Sequence, residues 1–204
     1  MKIQFQFDPE KTVQAAAFLI KLNQPEPMNY MGLLKMLYIA DRHALELMDW
    51  PITGDKYFSL QYGPVLSGVL DMAKEKRVRD SIVRKTSCQN PLVVWRRHIA
   101  RVDKDAQEKK YTLVLVSDPG TELLCEEEER ILKEVYQKFG HLDPFKVVEW
   151  THDLPEWRNP GKSRLEIDIE ELLRYLHKTD DEIMDISNSI DCNRQIDEVL
   201  AGCV

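Results

Sequence analysis

The sequence predicts an α+β, mainly helical fold: a single compact helical domain with a small antiparallel β-sheet or hairpin and a C-terminal helical tail. Three observations carry that expectation. Most apolar residues recur at helical spacing behind residues that cap helices. β-Branched and aromatic residues gather in the middle of the chain, in two short runs around a polar stretch. No low-complexity linker and no internal repeat divides the 204 residues, a length that fits one domain with small additions and buries a core without disulfides or metal.

Asp8-Pro9-Glu10 marks the first helix start: an N-cap oxygen, proline at the first helical position and an acid on the positive end of the dipole. Val13, Ala16, Ala17 and Ile20 form its apolar face, and Pro25 and Pro27 stop it. Asn29 caps a second helix, whose wide stripe is Leu33, Leu34, Leu37, Tyr38, Leu45 and Met48, ended by Pro51. Thr53-Gly54-Asp55 reads as a turn, and Tyr57 to Tyr62 as a short strand. Gly63-Pro64 then starts a third helix, with Val65, Val69, Leu70 and Ala73 inward. Leu92 to Trp95 and Tyr111 to Val116 read as the strands of a hairpin with a polar tip from Asp103 to Lys110, closed by the turn Asp118-Pro119-Gly120.

From Glu126 the pattern is helical again. Four glutamates, Glu126 to Glu129, sit on the positive end of the dipole. Ile131, Leu132, Val135, Tyr136 and Phe139 follow as the buried face, with Gly140 as C-cap. Asp143-Pro144 opens the next helix, broken by Pro155 and Asn159-Pro160-Gly161, and Asp168 caps another through Leu172, Leu173 and Leu176. Thr179-Asp180-Asp181-Glu182 is a capping box that starts a last helix carrying Ile183, Ile186 and Ile190. The expected division is a main domain over 1–178 and a helical extension over 179–204.

Net charge is −7 but uneven: Lys74 to Lys110 holds 12 Lys and Arg against 5 Asp and Glu, so the remainder carries −14. A basic middle suits an acidic partner or nucleic acid; it equally suits a hairpin whose charged edges resist aggregation. No aromatic-interleaved or recognition-helix pattern accompanies the charge. Cys88, Cys125, Cys192 and Cys203 are scattered without a Cys-x-x-Cys pair, which argues against zinc and points to free thiols in a reducing compartment. No apolar run is long enough for a bilayer. Met1-Lys2-Ile3-Gln4-Phe5 lacks the apolar core of a signal peptide, so the expected location is cytoplasmic.

The most informative stretch runs from Leu33 to Val65. It contains Lys35-Met36-Leu37-Tyr38-Ile39-Ala40-Asp41, then Ile52-Thr53-Gly54-Asp55, then Tyr62-Gly63-Pro64-Val65. These pieces resemble the Panacea-domain family, whose best-known members are SocA-like antitoxins. Glu126 to Gly140 is similar to that family's acidic helix ending in an aromatic residue and glycine. Thr151-His152-Asp153-Leu154-Pro155-Glu156-Trp157 is similar to its Thr-His…Pro-x-Trp element. The order is kept over about residues 10 to 180. Cys125 departs from the serine that members usually place before the acidic helix, and the hairpin insert and the tail after Thr179 are not family features. The resemblance implies a platform that neutralises toxins by direct binding, in some members as an adaptor that hands the toxin to a Clp protease.

Other chemistry has little support in the sequence. Asp41 and Asp55 are paired carboxylates only if they converge; the plainer reading has Asp55 capping its turn and Asp41 bonding to the Tyr62-Gly63 backbone. His152, near Asp143, Asp153 and Glu156, reads as a helix-end imidazole packed by Trp157, since the five histidines form no His-x-x-x-His pair. Ser59 and Ser67 lack a nucleophile elbow, and Thr53-Gly54-Asp55-Lys56 lacks the glycines of a phosphate loop. Trp50, Tyr57, Tyr62 and Trp157 serve either an interface or the core, with binding favoured for Tyr57 because it follows the turn.

The expected function is therefore a non-enzymatic protein-binding module without cofactor or metal, an antitoxin whose partner is a cognate toxin and, for an adaptor, a Clp-type protease. Its platform residues are Lys35, Tyr38, Asp41, Thr53, Gly54, Asp55, Tyr57, Tyr62, Gly63, Pro64, Val65, His152 and Trp157. The alternative is a regulator or nucleic-acid-associated protein using Arg84 to Lys110; a hydrolase using Asp41, Asp55 or His152 ranks last.

Overall fold

The computed structural model describes residues 3–78, 83, 90–102 and 112–201. Helix α1 (Pro9–Leu22) opens behind Asp8, whose carboxylate accepts the Lys11 N–H at 3.0 Å. Strand β1 (Met28–Asn29) leads directly into α2 (Tyr30–Met48), where the Asn29 side chain accepts the Met31 N–H at 2.9 Å. Both caps fall where the sequence places them, each worth about 1 kcal/mol. Leu33, Leu37, Ala40, Ala44 and Leu45 of α2 are fully buried. This helix is the spine of the molecule.

Strands β2 (Tyr57–Leu60) and β3 (Gly63–Leu66) form a hairpin in which Tyr57 faces Leu66 and Leu60 faces Gly63. The expectation of a helix beginning at Pro64 is corrected here: residues 63–66 are a strand, and α3 (Ser67–Ala73) begins after it. Two features make the strand possible. Gly63 has φ +84, a conformation that reverses the chain tightly and that residues with a Cβ rarely adopt. Pro64, which has no N–H for a ladder, lies on an edge strand, because the sheet order is β3-β2-β6.

A second correction concerns residues 92–95. They belong to helix α4 (Pro91–His98), not to a strand. Asn90 accepts the Leu92 N–H at 3.0 Å, Pro91 takes the first helical position, and Val94 and Trp95 are buried. These cap signals outweigh the β propensity of Leu-Val-Val-Trp. The hairpin exists but is displaced: β4 (Ile99–Val102) pairs antiparallel with β5 (Thr112–Leu115), and β1 extends that sheet beside β5. The expected tip, Asp103 to Lys110, lies outside the described residues, as does most of the basic stretch before Asn90.

The remaining helices start as expected. In α5 (Glu126–Phe139) Glu128 reaches back to accept the Cys125 N–H at 2.9 Å, so the helix start is capped despite the absence of serine. α6 (Pro144–His152) is capped by Asp143, and α7 (Ile169–Tyr175) by Asp168. Between them β6 (Leu165–Glu166) pairs with β2. α8 (Asp180–Ala201) starts at the Thr179–Glu182 box and buries Ile183, Ile186 and Ile190 in the same core as the rest. α2 packs on α5 and α6, α1 on α4 and α5, and β3 against α2 and α6.

Candidate functional site

The motif residues converge on α2 because of their spacing. Lys35, Tyr38 and Asp41 stand three residues apart on one helix face, and each side chain ties down a different distant segment. Lys35 Nζ donates to the Pro64 carbonyl oxygen at 2.6 Å, holding the edge of the β2–β3 hairpin. Tyr38 donates its hydroxyl to Glu156 Oε1 at 2.9 Å, and Arg42 Nε donates to the same oxygen at 2.9 Å. Asp41 accepts the Thr53 N–H at 2.9 Å, the Thr53 hydroxyl, and the Tyr57 hydroxyl at 3.2 Å.

The expectation that Asp41 bonds to the Tyr62-Gly63 backbone is thereby corrected. Asp41 serves the Thr53-Gly54-Asp55 turn, while Lys35 serves the hairpin. The two are six residues apart on α2, roughly 9 Å along its axis, so each meets a different segment of the chain. Asp55 also does more than cap its own turn. Its Oδ2 accepts the Val69 N–H at 3.0 Å at the start of α3, and its Oδ1 accepts the Lys56 N–H at 2.7 Å. Gly54 has φ +66, and a Cβ there would collide with the Gln6 carbonyl. The turn is therefore locked against the N-terminal segment, with the Asp8 N–H donating to the Thr53 carbonyl at 3.0 Å.

These groups are sealed from water. Lys35, Asp41, Thr53, Asp55 and Tyr57 are each no more than 3% exposed. Burial pushes Asp41 up to about 6 against the Thr53 hydrogen bonds that lower it, and pushes Asp55 up to about 7. Burial lowers Lys35 to about 7 and raises the Tyr38 and Tyr57 hydroxyls well above their usual range. The two tyrosine rings meet edge to face with centroids 5.5 Å apart. Tyr57 is consequently a core residue, which corrects its assignment to an interface; position after a turn does not expose a side chain that alternates inward.

At the far side of the hairpin the cluster reaches the surface. His152, the last residue of α6, stacks on Trp157 with centroids 3.9 Å apart, and Trp157 Nε1 donates to the Leu60 carbonyl at 3.0 Å. Burial, and then the charge of Lys35, hold the imidazole below its usual range. Gly63 is needed here for a second reason: a Cβ would lie 2.5 Å from Thr151 Oγ1 and 3.0 Å from Lys35 Nζ. Val65 is buried opposite Phe58. Tyr62, at the hairpin turn, is 53% exposed.

The arrangement joins segments rather than presenting reactive atoms to solvent. Asp41 spends its oxygens on three donors, and Lys35 donates to a backbone carbonyl. Among the described residues no group of three or more His, Cys, Asp or Glu is placed to hold a metal ion. The sequence reading missed Arg42 and the structural part played by Glu156. Glu156 lies in the Pro-x-Trp element, and Arg42 is one residue past Asp41. An acid beside Trp157 facing a helix with a spare arginine is a legible signal only once α2 and that element are known to touch.

A family model described as antitoxin SocA-like, Panacea domain, matches residues 33–158, a span that holds every residue of the cluster from Lys35 to Trp157. No curated protein matches, and no solved structure matches.

Proposed function

The chain belongs to the Panacea-domain family of SocA-like antitoxins, and from that premise we propose that it is an antitoxin that neutralises a cognate toxin by direct binding. It acts by contact, not by turnover, in the cytoplasm. The observation that carries this is the fate of the motif: Lys35, Tyr38 and Asp41 direct their polar groups inward and clamp the hairpin, the Pro-x-Trp element and the Thr-Gly-Asp turn to one helix. Side chains used this way build a rigid platform. Rigidity matters for tight capture, because a preorganised surface orders fewer groups on binding.

Tyr62 is exposed at the hairpin turn and the stacked pair His152 and Trp157 is half-buried, and such aromatic groups anchor interfaces well. An interface of roughly 1,600 Å² around a few anchors suffices for tight neutralisation. Delivery of the bound toxin to a Clp-type protease is an extension of the same contact, since an adaptor must first bind its cargo.

Co-expression with the product of the neighbouring gene tests the reading. The expected result is rescue of growth and co-purification of the pair. Tyr62→Glu should weaken capture about tenfold or more, as expected for an aromatic anchor, while leaving the thermal midpoint nearly unchanged because the side chain is exposed. Absence of both rescue and co-purification for the unaltered chain contradicts the reading.

A further inference from the structure

We propose that the loop from Trp157 to Leu165, together with the hairpin tip at Tyr62, docks an acidic extended segment of the protein partner; the inference rests on the antitoxin reading and adds the chemistry of the contact. The loop is exposed yet tied down. Trp157 Nε1 donates to the Leu60 carbonyl at 3.0 Å and the Arg158 N–H donates to Ser59 Oγ at 3.2 Å, so the loop starts against the hairpin that carries Tyr62. The Gly161 N–H donates to Asn159 Oδ1 at 2.9 Å and the Ser163 N–H to the Pro160 carbonyl at 3.1 Å, which folds its middle into a turn. Leu165 then enters β6 opposite Ser59. Residues 158, 159 and 161–165 are exposed, so this ordering adds little to the core. Order that exists before binding lowers the entropy lost on binding.

The side chains of the loop choose the occupant. Between the buried Glu156, which Tyr38 and Arg42 occupy, and Glu166, which has a partner of its own, stand Arg158, Lys162 and Arg164 and no acid. Arg158 is offset by Glu171. Lys162 and Arg164 remain, two positive charges on a chain whose total is −7. Arg164 lies over the Phe58 ring, 5.0 Å from its centroid. Stacking occupies the flat face of a guanidinium and leaves its N–H edge to grip a carboxylate with two parallel bonds. Phe58 is half-buried and alternates along β2 with the buried Tyr57 and Ser59, so the stack stands on the outward side of the strand. Leu165 and Tyr62, 44% and 53% exposed, add apolar contact. Two cations are too few for a nucleic-acid backbone, which takes many phosphate contacts, and the net charge of −7 repels it. One or two carboxylates flanked by apolar side chains on an extended segment match both the charge and the contact surface.

The test uses the full chain and a fluorescent peptide of alternating glutamate and valine, about 12 residues and roughly 40 Å long when extended. Saturable binding is expected, falling as salt is raised, weakened about tenfold or more by Arg164→Glu with Lys162→Glu, and lost when lysine replaces the peptide's glutamates. Lys133→Glu with Arg194→Glu, the same change of charge on α5 and α8, should leave it within about twofold, because a screened charge acts over roughly 10 Å. Circular dichroism confirms folding of the variants, whose altered side chains are exposed. No saturable binding, or equal loss in the two double variants, overturns the proposal. So does a single-stranded oligonucleotide that binds the loop more tightly than the peptide, or a concentration-dependent dimer abolished by Arg164→Glu with Lys162→Glu, which would give the face to a nucleic acid or to a second copy. The antitoxin reading is judged separately: a toxin that co-purifies equally with the unaltered chain and the loop variant removes this docking surface and leaves the antitoxin standing.

Discussion

Asp41 shows how much one side chain organises. It is fully buried and accepts hydrogen bonds from the Thr53 backbone, the Thr53 hydroxyl and the Tyr57 hydroxyl. Asp41→Ala strands those donors in the core, each at a cost of about 1–3 kcal/mol, so urea denaturation should report a loss of at least ~3 kcal/mol. Lys35 gives a pH signature. Its folded-state value, about 7, lies below the ordinary 10.5. Its contribution is therefore complete above the unfolded value and is lost as pH falls through the interval from about 10 to about 7, with a limiting slope of about 1.4 kcal/mol per pH unit. Asp41 and Asp55 run the other way: their raised values make stability fall as pH rises from about 4 to about 7. These three groups together favour the fold least near neutrality. Lys35→Met should abolish the alkaline gain without changing the acid limb, measured as denaturation free energy against pH. Sequence placed these residues in one motif, but not their partners. A polar side chain's type is visible in a sequence; the segment it reaches across 12 or 118 positions is not.

At the scale of elements, local chemistry was a good guide where it was strong. Asp8-Pro9, Asn29, Asp143-Pro144, Asp168 and Thr179–Glu182 all start helices, because capping depends only on neighbours a few residues away. It misled where two local signals competed. Asn90-Pro91 is a helix start as good as the others, yet the β-branched run after it drew the strand reading. Gly63-Pro64 looked like another proline-led start, but there the glycine makes a hairpin turn and the proline sits on a strand whose outer carbonyl Lys35 holds. Such an outcome depends on tertiary neighbours. Two glycines of this fold should respond in opposite directions to the same change. Gly32 lies inside α2, and a Cβ added there would meet only Pro144 Cγ, at 4.0 Å. Gly32→Ala should therefore stabilise by about 0.5–1 kcal/mol. Gly54→Ala meets the Gln6 carbonyl with φ at +66 and should destabilise by more than about 2 kcal/mol. Thermal melts of the pair check both signs.

The whole molecule joins the segment that matches the family, residues 33–158, and the acidic helix α8 in one core. The core runs continuously from Ile3 to Ile190, so the C-terminal helix is packed onto the same body that carries the motif cluster. The mainly helical character was legible from periodicity, since a stripe repeats over many residues and averages out local noise. The two three-stranded sheets among the described residues were legible only in part, because β1 and β6 are two residues each and are defined by their partners alone. The candidate site was legible as a set of positions and not as a mechanism; that Lys35, Asp41, Thr53, Asp55 and Tyr57 hold the body together follows from their burial and their partners. The central claim is that this body works by contact. It is tested most directly by titrating the toxin's activity with purified protein. The account predicts loss of activity in proportion to added protein, ending sharply at a fixed molar ratio and restored when the complex is dissociated. Progressive inactivation of excess toxin by a small fraction of the protein would contradict it.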